Sequence, residues 1–198
     1  RRGRLLAFGG LYLSEGIPGG FLMMAIATVL QDRGMEGTGV YSLFITMLAL
    51  PWVWKFLMGP FVDNLRLKRF GARKQWIVMS QSIMLLALGL ALLVFPEKIE
   101  VPEIEATGIL GTIEALSLSG IGLFGGLLFL HNFFAATQDA AIDALACQEL
   151  REDERGLANG IMFSCTHLGY LVGGAGVLWL TGTTGNFGTS GLFVLVIM

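Results

Sequence analysis

Glu15, Lys55, Asp139 and His167 stand inside stretches that are otherwise apolar for twenty residues or more. In hydrocarbon each such group costs about 2.5–3.5 kcal/mol on insertion scales, so each needs a partner or a task. Two carboxylates, an amine and an imidazole can pass protons and can hold a polar solute. Counted from the nearest basic end of its segment at about 1.5 Å per helical residue, Glu15 lies roughly 15 Å deep and Lys55 roughly 12 Å. Asp139 comes out at roughly 12 Å and His167 at roughly 15 Å. Four ionisable groups from four segments therefore share one layer near the midplane. Asp143 follows Asp139 at i+4 and falls on the same helix face.

Two tasks are open to this layer. Asp139 or Glu15 can serve as a proton-coupling carboxylate with Lys55 as its counter-charge, because burial and a nearby cation oppose each other in setting proton affinity. Alternatively, Lys55 with Asp139 or Asp143 is a static salt bridge between the second and fourth helices. Glu15 sits among Gly16, Pro18, Gly19 and Gly20. Such a cluster either interrupts a helix and exposes backbone to a cavity or makes a kink with close glycine packing. Gln138 points to a different face from Asp139 and is a candidate substrate contact. His131, deeper toward the other side and alone, reads as a hydrogen-bonded packing residue.

The elements that position these groups follow from composition. The 198 residues are 54% hydrophobic and 14% charged, with a mean hydropathy of +0.70. Soluble domains carry about a quarter charged residues, and nucleic-acid binders need a basic face, so both classes are excluded. The chain reads as an all-α polytopic membrane protein. Spans are predicted over 5–30, 40–62, 75–95, 121–147 and 157–180, each long enough for a core of about 30 Å. A sixth begins near Gly188 and reaches Met198 before it can cross, so a further part of the chain is expected beyond it. A basic loop covers 63–74, and an acidic one covers 96–120.

Lys and Arg alternate by side. Three precede the first span, five lie in the 63–74 loop and two follow the fourth span, against Arg33 and Lys98 on the other side. The positive-inside rule then places the N-terminus in the cytoplasm and the acidic loop outside, as in a bacterial inner membrane.

Gly16/Gly20, Gly122/Gly126, Gly156/Gly160 and Gly169/Gly173 have the spacing of tight helix contacts. Trp76 and Trp179 read as interfacial anchors, and Trp52 and Trp54 as packing. Cys147 and Cys165 have no ligand-like spacing and are expected to be free buried thiols. Metalloprotease, serine-hydrolase, P-loop and dinucleotide motifs are missing, so neither enzyme chemistry, a cofactor nor a metal is expected.

The run Gly59, Asp63, Arg69, Gly71, Arg73 and Lys74 resembles the cytoplasmic loop motif of the major facilitator superfamily. A pair between Asp63 and these cations could latch helix bundles and break as a transporter rocks. Ala135-Ala136-Thr137-Gln138-Asp139-Ala140-Ala141-Ile142-Asp143-Ala144, then Glu154-Arg155-Gly156 and Asn159-Gly160, is similar to the muropeptide permease (AmpG-type) branch. That branch is related to acetyl-coenzyme A transporters and siderophore permeases. Leu50-Pro51-Trp52, Lys55-Phe56, Pro60 and Gly16-Ile17-Pro18 fit it as well.

The resemblance implies a six-helix bundle of two inverted three-helix repeats, the N-terminal half of a twelve-helix transporter. Its first and fourth helices would line a cavity, and a C-terminal six-helix half would complete it. Expected partners are a small-molecule substrate, protons and the lipid bilayer. A non-transporting scaffold or half-transporter, and a membrane enzyme acting on a lipid or cell-wall precursor, are the other classes open to such a chain.

Overall fold

The computed structural model describes residues 2–35, 39–64, 72–96, 111, 114 and 121–198, and among these residues there is no strand. Helix α1 covers Arg2–Met35 and includes a π-helical stretch at Phe21–Ile26. Gly34, at φ +98°, turns the chain at its end, a conformation open to a residue without Cβ. Helices α2 (Gly39–Val53) and α3 (Lys55–Asn64) follow one another across a 43° bend. The bend falls just after Pro51, which has no N–H to donate and crowds the preceding turn.

Helix α4 covers Ala72–Leu93 and α5 covers Gly122–Glu149. Helix α6 (Glu152–Thr184) contains a π-helical stretch at Val172–Gly176, and α7 covers Phe187–Ile197. Glu152, Asp153 and Glu154 open α6, where the partial positive charge of a helix N-terminus favours acids.

By length and composition α1, α4 and α6 can each cross a membrane, and the bent pair α2–α3 is long and apolar enough only when its two helices are taken together. The protein is a multi-pass integral membrane protein. Helix α5 is long enough at 28 residues, but it carries His131, Asn132, Gln138, Asp139 and Asp143. It can do so because it is enclosed, packing against α1, α2, α3 and α4.

The most extensive pairings are α1 with α6 and α4 with α5. The α1–α6 seam is made by glycine. A Cβ on Gly16, Gly20 or Gly173 would overlap the backbone carbonyl of Thr166, Tyr170 or Ile17 respectively, and one on Gly169 would press on that of Leu13. Close glycine packing is therefore what the cluster after Glu15 provides, and α1 continues through Pro18. The other two stripes differ from expectation. Gly126, Gly156 and Gly160 have no atom within 4 Å of where a Cβ would lie. Spacing selects a face of a helix without supplying a neighbour for it.

Two apolar clusters fill the bundle. The larger is built around Phe21, Phe44, Leu88, Phe124 and Val177. The smaller holds Leu5, Phe8, Ile142, Ala146, Ala158 and Met162, near the end where the chain starts. The end of α5 beside it is tied by three arginines from three helices. Arg73 Nη1 donates to the Ala144 carbonyl at 2.6 Å, Arg4 Nη1 to that of Glu149 at 2.6 Å, and Arg155 Nη2 to that of Cys147 at 3.0 Å. The carbonyls of Cys147 and Glu149 are among the last of the helix and lack intrahelical partners, and the partial negative charge of that end suits all three cations.

Candidate functional site

Between the two apolar clusters lies a polar layer. Lys55 is the first residue of α3, immediately after the bend, and is aimed at α5. Its ammonium is ion-paired with Asp139 and lies 2.9 Å from Asp143 Oδ2. Tyr12 on α1 donates its hydroxyl to the second oxygen of Asp143. The Asp139 side chain is 8% exposed, that of Lys55 32% and that of Asp143 48%, so the group grades from enclosed to open.

Glu15, one turn along α1 from Tyr12, is buried, and among the described residues its Oε2 has no hydrogen-bond partner. It lines a cavity of about 210 Å³ together with Asp139, Trp52, Thr166, His167 and Tyr170. A second cavity of about 530 Å³ is lined by Asp143, Cys147, Arg155, Asn159 and Met162. Asn159 and Met162 line both, so the two adjoin and the polar layer faces the end where α5 stops.

The structure thus brings Glu15, Lys55, Asp139, Asp143 and His167 to one region. Lys55 takes both aspartates rather than one, because Asp139 and Asp143 are stacked a turn apart on one face. His167 is exposed, and its Nδ1 donates to the Phe163 carbonyl of its own helix at 2.9 Å. Gln138 is elsewhere: its amide donates to Gln81 Oε1 at 2.7 Å and faces α4. His131 is buried with Nδ1 on the Met84 carbonyl at 3.1 Å.

In the basic segment, Asp63 pairs with Arg73 at 3.1 Å, Gly59 has open space beside it, and Lys74 is exposed. Arg69 and Gly71 lie outside the described residues, as do 65–68 and nearly all of the 97–120 acidic segment.

Four aromatic or thiol residues differ from expectation. Trp52 and Trp54 are 36% and 46% exposed. Trp52 lines the polar cavity, and Trp54 lines an apolar groove with Trp76, Phe133 and Phe134. Both sit at the bend, where the span leaves the packed core. Cys147 is exposed in the last turns of α5 and Cys165 is half-buried. Both are free, but neither is a buried thiol. Tyr12, Tyr170 and Thr166 are site residues not singled out from sequence. Tyr12 had a signal, standing three residues before Glu15 on the same helix face. Among the described residues no group of His, Cys, Asp and Glu could hold a metal ion.

A family model described as acetyl-coenzyme A transporter 1 matches residues 5–184. A Rickettsia conorii protein assigned as transporter AmpG 4 is 26% identical over 179 residues, 89% of this chain and 38% of its own length. An uncharacterised membrane protein of Saccharomyces cerevisiae is 27% identical over 168 residues, 82% of this chain and 29% of its own. A second Rickettsia conorii protein, assigned as AmpG 1, is 25% identical over 176 residues, covering 84% and 36%. The chain spans between 29% and 38% of the length of these relatives. No solved structure matches it.

Proposed function

The chain belongs to the acetyl-coenzyme A transporter family, and from that premise we propose that it forms the first half of a proton-coupled secondary transporter. The transporter is of the major facilitator type, taking up a small polar or amphiphilic solute, siderophore- or muropeptide-like, by alternating access. A second six-helix half completes the pathway, and the two rock about the polar layer. The N-terminus and the basic segment lie on the cytoplasmic side of a bacterial inner membrane, by the distribution of Lys and Arg.

One observation carries the reading. At mid-bundle a single cation, Lys55, is divided between Asp139 and Asp143, while a third carboxylate, Glu15, stands beside them with a free oxygen. A static brace needs one anion per cation. Excess carboxylates bordering a cavity leave a place for a proton that can come and go. Asp139 is assigned the coupling role, because it both pairs with Lys55 and lines the cavity that Glu15 lines. The Asp63–Arg73 pair at the basic end is assigned to steadying one state of the rocking cycle. Transport of this kind makes and breaks no covalent bond, so no catalytic residue is assigned.

The test uses the full-length protein in proteoliposomes loaded with a pH-sensitive dye. Muropeptide, ferric siderophore and acetyl-coenzyme A are each added under an inward proton gradient. At least one should accelerate internal acidification, and Asp139→Asn should abolish the acceleration. An Asp139→Asn protein that moves protons and solute at the native rate removes the coupling role. A protein that accumulates no solute but turns over a lipid or cell-wall precursor replaces the transporter reading by the enzyme one.

A further inference from the structure

We propose that the solute is held in this half of the molecule by a protonated amine or guanidinium, docked on the Glu15 carboxylate against the rings of Trp52 and Tyr170. The assignment names the substrate class for the cavity above and rests on the transport reading.

The first support is the state of Glu15. It is 9% exposed, its Oε2 has no hydrogen-bond partner, and it lines both the cavity of about 210 Å³ and a narrow extension of about 20 Å³. A buried carboxylate oxygen without a donor is costly, and among the described residues none is supplied here.

The second is the charge balance. Glu15, Asp139 and Asp143 give three carboxylates, and Lys55, already shared by two of them, is the cation paired with them among the described residues, Arg155 in the adjoining cavity being bonded to the Cys147 carbonyl. A polyanion brought to this layer would meet like charge, and a cation would meet opposite charge in a poorly screened setting.

The third is where the donors around Glu15 are spent. Tyr12 spends its hydroxyl proton on Asp143 and Thr166 spends its own on the Met162 carbonyl at 3.0 Å. His167 spends Nδ1–H on the Phe163 carbonyl of its own helix. The donors left at the cavity are the Tyr170 hydroxyl, the Trp52 indole N–H and the Asn159 amide, and among the described residues none of them reaches Glu15 Oε2, which is left to take its donor from the solute.

The fourth is the wall. Trp52 and Tyr170 line both the cavity and its extension. Along α6 the rings of Phe163, His167 and Tyr170 follow one another with centroids 4.3 and 6.1 Å apart. Aromatic faces attract ammonium and guanidinium groups, most strongly where water is excluded.

The test is calorimetric titration of the purified full-length protein with three probes that share one ring: glucosamine, N-acetylglucosamine and glucuronate. They carry an ammonium, a neutral amide and a carboxylate. In the unaltered protein, at a pH that keeps the amine protonated, glucosamine should bind at least tenfold more tightly than either of the others. Glu15→Gln should erase that preference, and Glu15→Asp should keep part of it.

Equal or tighter binding of glucuronate or N-acetylglucosamine overturns the proposal, as does no measurable glucosamine binding. A preference that survives Glu15→Gln also overturns it. The comparison of probes needs no variant, so misfolding of Glu15→Gln leaves a decisive measurement. A protein that prefers the amine yet shows no proton-driven uptake separates the two readings: the site stands and the coupling falls.

Discussion

Helix α5 carries two sets of buried polar side chains two turns apart, and they are satisfied in different ways. His131 and Asn132 each donate to a backbone carbonyl of another helix, Met84 on α4 at 3.1 Å and Leu48 on α2 at 2.8 Å. Asp139, further along, is satisfied by the side chain of Lys55, which also holds Asp143. A backbone carbonyl is fixed in its helix, so bonds to it break only when whole helices separate. A side-chain ion pair can trade one partner for a proton or a solute while the helices stay packed. The first set fastens α5 to its neighbours, and the second can switch beside it.

The largest expected effect comes from removing the shared cation. Lys55→Met leaves Asp139, Asp143 and Glu15 facing one another without compensation. Breaking a fully buried pair costs about 3–5 kcal/mol. Lys55 is a third exposed, so a loss of about 2–3 kcal/mol in denaturation stability is expected. Adding Asp139→Asn to Lys55→Met should recover most of it, because it removes the most enclosed of the unpaired charges. A single variant as stable as the native protein would mean that the layer carries no excess of negative charge.

Next is the α1–α6 seam, which sharpens the contrast from the side of packing. Gly173→Val places side-chain atoms on the Ile17 backbone, and Gly160→Val meets open space. Forced overpacking costs about 1–3 kcal/mol, more where backbone must shift. The Gly173 variant should lower the thermal midpoint clearly and the Gly160 variant by little. Similar midpoints would show that the seam is looser than its glycines imply.

These two glycines also mark how far the sequence can be read. The 3.6-residue period and fixed helical rise put Glu15, Lys55 and Asp139 in one layer, because depth in a membrane depends only on counting along the chain. Partner choice depends on how each helix is rotated and bent, which counting does not give. Lys55 reaches both aspartates because the span bends just before it. Gln138, adjacent to Asp139 and so about 100° away around the helix, is turned to α4 and Gln81. Gly156/Gly160 and Gly169/Gly173 are the same pattern on one helix, yet only the second pair has a neighbour.

Asn132 tests the fastened set directly. Asn132→Ala leaves the Leu48 carbonyl buried without its donor and should cost about 1–3 kcal/mol. Proton-driven uptake by the folded fraction should keep its native dependence on pH, since no exchangeable charge has been touched. A changed pH profile would erase the distinction between the two sets.

The smallest effect on stability is expected at the basic end, where one arginine belongs to both kinds of contact. Arg73 gives Nη1 to the Ala144 carbonyl, a fixed acceptor, and Nη2 to Asp63, whose side chain is 57% exposed. An exposed pair contributes about 0–1 kcal/mol, so Asp63→Asn should leave the denaturation midpoint nearly unchanged. Arg73→Gln should cost somewhat more, because it also removes the bond to the Ala144 carbonyl of α5. If the Asp63 pair is a latch, Asp63→Asn should alter the uptake rate severalfold at constant stability, and Arg73→Gln should alter both. Equal effects of the two variants on the midpoint and none on the rate would place Asp63 among the fastening contacts and leave the polar layer as the exchangeable part of this half.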